Sequence, residues 1–171
     1  MKNNWILIGY MGCGKTTVGR WLAGRLGLPF VDTDQWIETK EGCKISRIFS
    51  RQGEEAFRAM ETDCLKELLA EGQRAVFSVG GGLPLREENR ELLGKLGTVV
   101  YLRTTPETIY SRLETDTERP LLQTGNRMDK IREMLRLRQP FYEAAAQLTV
   151  DTDGKTPEAI ADEILGRKEK G

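Results

Sequence analysis

A glycine-rich stretch near the beginning of the chain has the spacing of a phosphate-binding loop. Residues 9–16 read Gly-Tyr-Met-Gly-Cys-Gly-Lys-Thr and fit the pattern G-x-x-x-x-G-K-[ST] between an apolar run and a segment of helical periodicity. Glycine lets successive N–H groups face an anion, and the helix that follows adds its positive dipole end. We expect Lys15 to reach the outer phosphates and the Thr16 hydroxyl to ligate Mg²⁺. A chance match in a turn is the alternative, but strand, loop and helix occur in the required order.

Two carboxylates follow the second apolar run. Asp32 and Asp34 belong at the carboxyl edge of the predicted sheet, where open α/β folds bind ligands. Asp32 can hold Mg²⁺ through water, and Asp34 can steer or remove the proton of an acceptor hydroxyl. The alternative is that Asp32 or Thr33 caps the next helix. The chain contains no histidine, which favours a carboxylate as the general base.

Two arginines occupy positions suited to an organic acid. Arg138 falls seven residues after Ile131 on the apolar stripe of a predicted helix. Arg58 lies near the start of another helix, and Glu61, three residues later, is placed to hold its guanidinium group. A solvated face is the commoner explanation for either arginine alone. Together they favour a substrate carboxylate, because a planar guanidinium group pairs with it bidentately.

Three consecutive glycines, Gly80, Gly81 and Gly82, follow the third predicted strand directly. They belong at the same edge of the sheet, where glycine lets a ligand approach the backbone closely. A flexible turn between strand and helix is the alternative, although two glycines usually suffice for a turn. We expect a ligand to contact this backbone.

A polar segment over 114–127 interrupts the alternation of strands and helices. It has little periodicity and places Arg119 next to a proline. An ordinary surface loop is equally compatible with this composition. A site for phosphate transfer must exclude water, however, and Arg119 is suited to close over the phosphates, which favours a lid.

The remaining sequence predicts the elements that position these residues. Short apolar runs alternate with helical segments, which is typical of an α/β fold with a parallel sheet covered by helices on both faces. The length of 171 residues suits one domain, 1–171. Helices are predicted at 17–26, 54–71 and 157–166, among others. The predicted strands are 5–8, 29–32, 75–79, 98–102 and 148–151.

Charge and cysteine content limit the partners. Lysine plus arginine equals aspartate plus glutamate at 26 each, so no net charge favours binding to nucleic acid or to an anionic membrane surface. A small-molecule partner is therefore expected. We predict no signal or membrane segment. The three cysteines are scattered and have no histidine to complete a zinc site, which indicates a reduced, cytoplasmic protein.

Taken in order, these motifs resemble those of the shikimate kinase family over nearly the whole chain. The Walker pattern alone is shared by many families, whereas the ordered combination is highly specific. Departures are few: Thr17 replaces a frequent serine and Phe141 a frequent leucine. The matching segments are 12–17 (nucleotide loop), 32–34 (D-[ST]-D), 57–61 (F-R-x-x-E), 80–82 (glycine triplet), 119–122 (R-P-L-L) and 138–142 (R-x-P-x-Y).

The resemblance implies a fold and a reaction. The fold is a three-layer P-loop kinase fold, with a five-stranded parallel sheet in the order 2-3-1-4-5, a mobile lid at about 112–127 and a substrate-binding region at about 32–61. The reaction transfers the γ-phosphoryl group of ATP to the 3-hydroxyl of shikimate, with Mg²⁺, as a step toward chorismate and the aromatic amino acids. The enzyme is expected to be a monomer.

The resemblance also implies roles for individual residues. The catalytic residues are Lys15, Asp34 and Arg119, and Thr16 with Asp32 positions Mg²⁺ directly and through water. The nucleotide contacts are Gly12, Cys13, Gly14, Lys15, Thr16, Thr17, Arg112, Arg119 and Lys155, with Arg112 and Lys155 at the adenine end. The shikimate contacts are Asp34, Arg58, Gly80, Gly81, Gly82 and Arg138, with the arginines on the carboxylate.

Three other functions remain compatible with a phosphate loop. Another small-metabolite kinase, such as a gluconate kinase, shares the loop but has no stated need for two arginines on a carboxylate. A GTPase-like switch would use the D-x-x-G match at 151–154, but this follows the last strand and no N-K-x-D element occurs. An ATP-driven nucleic-acid motor is disfavoured by the neutral charge and the short chain.

Overall fold

A parallel sheet of five strands forms the centre of the structure. The computed structural model describes residues 4–114 and 126–170, and the strand order is β2-β3-β1-β4-β5. The strands are β1 (Trp5–Ile8), β2 (Phe30–Asp32), β3 (Val76–Ser78), β4 (Thr98–Arg103) and β5 (Leu148–Asp151). The helices are α1 (Lys15–Leu26), α2 (Thr33–Glu41), α3 (Ile45–Glu71), α4 (Glu87–Leu96), α5 (Pro106–Leu113), α6 (Arg127–Ala145) and α7 (Pro157–Glu169), with a 3₁₀ turn at Leu83–Leu85.

Alternating side chains of the strands form two apolar cores. In β1, Ile6 and Ile8 point into the core covered by α2 to α6, whereas Trp5 and Leu7 point into the core under α1 and α7. All four side chains are buried. Because both faces of the sheet are covered, β1 is an unbroken apolar run, which makes it recognisable in the sequence.

The central strand β1 lies between β3 and β4. Leu7 is paired with Ser78 on one side, and Ile8 with Tyr101 on the other. The chain leaves β1 toward β2 and leaves β3 toward β4, so these two connections run in opposite directions along the sheet. Such a change of direction opens a crevice at the carboxyl ends of the strands.

The longest helix, α3, is interrupted at Gly53. This residue has φ 85° and ψ 172°, a conformation that is essentially restricted to glycine. Residues 45–52 therefore form a separate first part, and the second part begins at Glu54. The prediction of a helix at 54–71 is confirmed, but the helical segment before it was not predicted.

The structure confirms the predicted fold class, including the strand order. Predicted strand limits agree closely; for example, β2 begins at Phe30 rather than at the preceding proline. The predicted lid, about 112–127, is described only at its ends, where Arg112 lies in α5 and Arg127 begins α6. Arg119 lies outside the described residues. No helix within 4–114 or 126–170 is long and apolar enough to span a membrane.

Candidate active site

The loop between β1 and α1 has the shape of an anion cradle. Gly9, Gly12 and Gly14 have φ of 149°, 79° and 94°, values that side-chain-bearing residues rarely adopt. A Cβ at Gly9 would lie 2.9 Å from the carbonyl oxygen of Leu102, so the loop also needs glycine for close packing against β4. The loop ends at the N-terminus of α1, whose free N–H groups and dipole favour an anion.

Lys15 lies across this loop. Its Nζ donates hydrogen bonds to the carbonyl oxygens of Gly9 at 2.8 Å and Tyr10 at 3.2 Å, and it lies 3.7 Å from Cys13 Sγ. The ammonium group is thus held at the cradle, and Cys13 is buried behind it. Thr16 and Thr17 are exposed in the first turn of α1.

Arg112 and Lys155 occupy different surroundings. Arg112 donates from Nη1 to the carbonyl oxygen of Gly12 at 2.9 Å and is exposed, so it lies beside the phosphate loop. Lys155 follows β5 and forms an ion pair with Glu163 of α7 at 2.8 Å. Their contact with an adenine ring stays a prediction.

Asp32 and Thr33, at the end of β2, form structural hydrogen bonds. Asp32 caps α2, since its Oδ1 accepts a hydrogen bond from the backbone N–H of Gln35 at 3.1 Å. The capping alternative is therefore confirmed for Asp32. Thr33 is buried and accepts a hydrogen bond from the N–H of Gly80 at 3.3 Å. This bond ties the end of β2 to the glycine triplet.

Gly80 brings two carboxyl groups together. A Cβ at this position would lie 2.9 Å from Asp34 Oδ1 and 3.0 Å from Glu61 Oε2. Asp34 is half-buried in the first turn of α2, and Glu61 is fully buried on α3. Only a residue without a side chain fits between them.

The next two glycines contact the two predicted arginines. A Cβ at Gly81 would lie 3.2 Å from Arg138 Nη1, and one at Gly82 would lie 2.6 Å from the Cζ of Arg58. The glycine triplet is therefore surrounded by four charged or ionisable side chains from three helices. We call them the triplet cluster: Asp34, Arg58, Glu61 and Arg138.

Arg58 is held by carboxylates on its own helix. Its Nη1 donates to Glu61 Oε1 at 2.6 Å, and its Nη2 lies 3.4 Å from Glu54. Burial raises the pKa of Glu61 to about 7, although the charge of Arg58 opposes this shift. The sequence predicted Glu61 as a support for Arg58, but not as a site residue in its own right.

Arg138 is held by aromatic residues that were not predicted as site residues. Its guanidinium group lies over the ring of Tyr10 at 5.6 Å, and it contacts the hydroxyl of Tyr142. Tyr142 donates a hydrogen bond to the carbonyl oxygen of Gly81 at 2.6 Å, and burial raises its pKa above the usual value. Arg138 therefore lies between the phosphate loop and the glycine triplet. Its inward position was visible in the helical spacing. The contact with Tyr10 had no sequence signal, and Tyr142 stood out only as the last residue of the matching segment 138–142.

Comparison with known proteins identifies the family. The family model described as shikimate kinase matches residues 11–168. A shikimate kinase from Thermodesulfovibrio yellowstonii is 45% identical over 170 residues, which cover 99% of this chain and 96% of that relative. This chain belongs to the shikimate kinase family. A second member, from Thioalkalivibrio sulfidiphilus, is 47% identical and covers 95% of this chain and 85% of its own length.

A solved structure agrees with this assignment. The shikimate kinase from Acinetobacter baumannii, in complex with shikimate, superposes with a TM-score of 0.92 at 42% identity, over 98% of this chain and 93% of that chain. The family resemblance stated from the motifs is thereby confirmed.

Most of the described residues that the shikimate kinase resemblance singled out lie in two adjacent groups. Lys15 and Arg112 lie at the phosphate loop with Gly12, Cys13, Gly14, Thr16 and Thr17. Asp34, Arg58 and Arg138 surround Gly80 to Gly82. Asp32 ends β2 beside the second group, and Lys155 lies apart, beyond β5.

Proposed function

We propose that this chain is a shikimate kinase that transfers the γ-phosphoryl group of ATP to the 3-hydroxyl of shikimate, giving shikimate 3-phosphate and ADP. The observation that carries the proposal is the triplet cluster. Two guanidinium groups and two carboxyl groups converge on one backbone segment, and Arg138 links that segment to the phosphate loop through Tyr10. Such an enzyme would serve the synthesis of chorismate and the aromatic amino acids.

We assign Arg58 and Arg138 to the carboxylate of shikimate. Each presents a guanidinium group at the glycine triplet, and a planar guanidinium group pairs bidentately with a carboxylate. A neutral sugar would not need these two positive charges. Gluconate also carries a carboxylate, so the assay of acceptor dependence below separates it from shikimate. The backbone of Gly80, Gly81 and Gly82 is open to the ring of the substrate.

We assign the proton of the reacting hydroxyl to Asp34. Its carboxylate accepts the hydrogen bond of the 3-hydroxyl and takes the proton as the oxygen bonds to the γ-phosphorus and the bond from that phosphorus to ADP breaks. Asp34 lies at the glycine triplet on the side of β2. Asp34 supplies an oriented acceptor there, and orientation accounts for much of the acceleration in phosphoryl transfer.

We assign charge neutralisation on the phosphates to Lys15 and Arg119. Lys15 exchanges its bonds to the loop carbonyls for bonds to phosphate oxygens, which are stronger because both partners are charged. The loop N–H groups hold the same phosphates, and Thr17 continues the loop into α1. Arg112 and Lys155 are assigned to the adenine end of ATP.

Two side chains at the carboxyl edge of the sheet offer oxygen donors that fit Mg²⁺. The Thr16 hydroxyl is exposed, and Asp32 is half-buried with Oδ1 in the helix cap. Mg²⁺ prefers hard oxygen ligands and is usually held by one or two protein groups together with waters and phosphates. Within 4–114 and 126–170, no group of three or more His, Cys, Asp or Glu side chains is placed to hold a metal. Thr16 and Asp32 would hold Mg²⁺ there, directly and through water, and the ion would supply positive charge that offsets the negative charge of the phosphates.

An assay of acceptor dependence tests this function. ADP release from MgATP is measured with shikimate, with gluconate and without acceptor, and the product is identified by mass spectrometry. We expect ADP release with shikimate only. Asp34→Asn should lower turnover by about 10²- to 10⁴-fold, with Lys15→Met and Arg119→Ala also losing most of it, whereas the exposed Asp63→Asn should keep it. Equal rates with gluconate, or wild-type turnover in Asp34→Asn, would contradict the respective assignment.

We further infer that residues 1–171 act as one monomeric domain in the cytoplasm, with ATP and shikimate as partners and no nucleic acid or membrane partner. The balanced charge of the chain supports the absence of a nucleic-acid or membrane partner. Light scattering after gel filtration is expected to give the monomer mass, and added nucleic acid is expected to leave ATP hydrolysis unchanged.

A further inference from the structure

One oxygen of the fully buried Glu61 carboxyl group has no donor. Oε1 accepts a hydrogen bond from Arg58, whereas Oε2 has no hydrogen-bond partner within the described part of the chain. A buried acceptor without a donor carries a large desolvation penalty, and the penalty is greater when the group is charged. A proton on Oε2 removes the charge and turns this atom into a donor.

Asp34 shares the pocket at Gly80 with that oxygen. Asp34 Oδ1 and Glu61 Oε2 are both buried, and both lie about 3 Å from the same point, the Cβ position of Gly80. Two carboxylates that share a pocket disfavour simultaneous ionisation. Glu61 is the more deeply buried of the two, so its ionised form is the less favourable.

Charged and titratable groups from four parts of the fold face Glu61. Burial and the charge of Asp34 favour protonation of Glu61, whereas the charges of Arg58 and Arg86 favour its ionisation. The result is a Glu61 pKa of about 7. Burial also raises the pKa of the nearby thiol to about 12, which keeps it neutral. These groups are Arg58 and Cys64 on α3, Asp34 on α2, Arg86 before α4 and, at the adjacent glycine, Arg138 on α6.

We propose that Glu61 takes up a proton when the acidic substrate binds, so that Arg58 exchanges its ion pair with Glu61 for an ion pair with the substrate carboxylate. This inference rests on the proposed binding of shikimate at Arg58 and Arg138. In the free protein two guanidinium groups face two carboxyl groups, and a bound carboxylate adds a third negative charge. The buffer supplies the proton, and Glu61 accepts it on Oε2.

The neutral Glu61 side chain still positions its neighbours. Oε1 continues to accept the hydrogen bond from Arg58, and the new O–H donates toward Asp34. Arg58 then keeps its geometry while its positive charge is no longer matched by Glu61. Glu61 is thus a positioning residue whose protonation state sets the attraction of the site for an organic acid.

Calorimetric titration of the full chain with shikimate measures the proton directly. At pH 7 the observed heat is compared in phosphate and Tris buffers, which differ in ionisation enthalpy. We expect uptake of up to about half a proton per shikimate, because a group with a pKa near 7 is half-protonated beforehand. Affinity should also fall by up to about tenfold per pH unit as the pH rises above 7.

Two matched variants assign the proton. Glu61→Gln keeps an oxygen acceptor for Arg58 but cannot be protonated, so we expect buffer-independent heat and an affinity that is flat from pH 6 to 8.5. Glu54→Gln removes the other carboxylate near Arg58. The Glu54 side chain is 68% exposed, so this variant should retain the wild-type proton uptake. Buffer-dependent heat that persists in Glu61→Gln would overturn the assignment to Glu61.

The outcomes separate this inference from the proposed function. If the wild-type protein binds shikimate with buffer-independent heat and pH-independent affinity, the proton uptake is wrong and the kinase function stands. If shikimate does not bind in any buffer, the proposed function is wrong as well. Should Glu61→Gln fail to fold, infrared difference spectra of the wild-type protein with carboxyl-¹³C shikimate decide the matter. A protein carboxylic-acid band that grows on binding supports the proposal, and its absence overturns it.

Discussion

The two arginines of the triplet cluster differ in their partners: Arg58 contacts charged groups, and Arg138 contacts uncharged ones. Arg58 forms an ion pair with Glu61 at 2.6 Å, so part of its attraction for a ligand is already satisfied. Arg138 lies against the ring of Tyr10 and the hydroxyl of Tyr142, both uncharged. Within the described residues no carboxylate forms an ion pair with Arg138. Its charge is therefore not neutralised by such a pair, and the two arginines should respond differently to truncation.

We expect Arg138→Ala to weaken shikimate binding by about 2 to 5 kcal/mol with little effect on folding, because no buried carboxylate among the described residues loses an ion pair with it. Arg58→Ala should weaken binding and also lower the free energy of unfolding by about 1 to 3 kcal/mol, because Glu61 loses the donor to its buried Oε1. Calorimetry measures the first quantity and urea unfolding the second.

Arg136→Ala is the control for both variants. Arg136 lies on the same helix as Arg138, but it is exposed and paired with Glu133. The Arg136→Ala variant should bind shikimate with the affinity of the wild-type protein. Wild-type affinity in Arg138→Ala, or an analogue without the carboxylate that binds as well as shikimate, would contradict the assignment of the arginines.

The buried Glu61 also makes stability depend on pH. Its pKa in the folded protein is about 7, against an ordinary value of 4.5, so the folded state binds this proton more tightly than the unfolded chain does. The resulting stabilisation is complete below pH 4.5 and is lost as the pH rises through 7. Between pH 5 and 8 the wild-type protein should lose about 2 to 3 kcal/mol relative to Glu61→Gln. Urea unfolding of both proteins measures this difference, and a pH-independent difference would show that Glu61 stays ionised throughout.

The sequence predicts the helices and strands that have a strong local pattern, and it misses features that depend on contacts between distant parts of the chain. The periodicity around Ile131 correctly places Arg138 on an inward face, and the apolar run of β1 predicts the strand before the phosphate loop. The helical turns over 45–52 escaped prediction because Gly53 separates them from a stronger pattern. The meeting of Glu61 with Asp34 also escaped it, since nothing in the spacing brings α2 and α3 together over Gly80.

The turn after β3 positions Arg58 as much as α3 does. Gly82 has φ −91° and ψ −8°, angles open to any residue, so Gly82→Ala adds no backbone strain. Its Cβ would lie 2.6 Å from Arg58 Cζ, and the flexible guanidinium group would have to move. We expect near-wild-type stability with shikimate KM raised at least about tenfold, equivalent to about 1.4 kcal/mol of lost binding.

Gly94→Ala is the matched control for this turn. Gly94 lies in α4, and a Cβ there meets nothing within 4 Å, so KM should stay unchanged and the helix should gain slightly in stability. An unchanged KM in Gly82→Ala would show that Arg58 does not need its present position to bind shikimate.

At the scale of the whole molecule, the strand order brings the two halves of the site together. Because β1 and β3 are neighbours, the phosphate loop after β1 and the glycine triplet after β3 leave the sheet side by side. The apolar runs predict five strands, but their spacing does not order them, since the pairing of β1 with β3 and β4 is set by long-range packing. The order came instead from the resemblance to shikimate kinases, which the structure confirms.

This side-by-side arrangement predicts that the two ligands stabilise the fold through separable contacts. At a concentration 100 times its Kd, shikimate should add about 2.7 kcal/mol to the free energy of unfolding and raise Tm by about 5 to 10 °C in a domain of this size. At the same concentration Arg138→Ala should lose most of that shift, because its Kd is higher, while the shift caused by MgADP should stay near wild type. Thermal unfolding followed by circular dichroism measures both shifts. An equal shikimate shift in the two proteins would locate the acid away from Arg138, and a lost MgADP shift would mean that Arg138 supports the phosphate loop through Tyr10 rather than binding the acid alone.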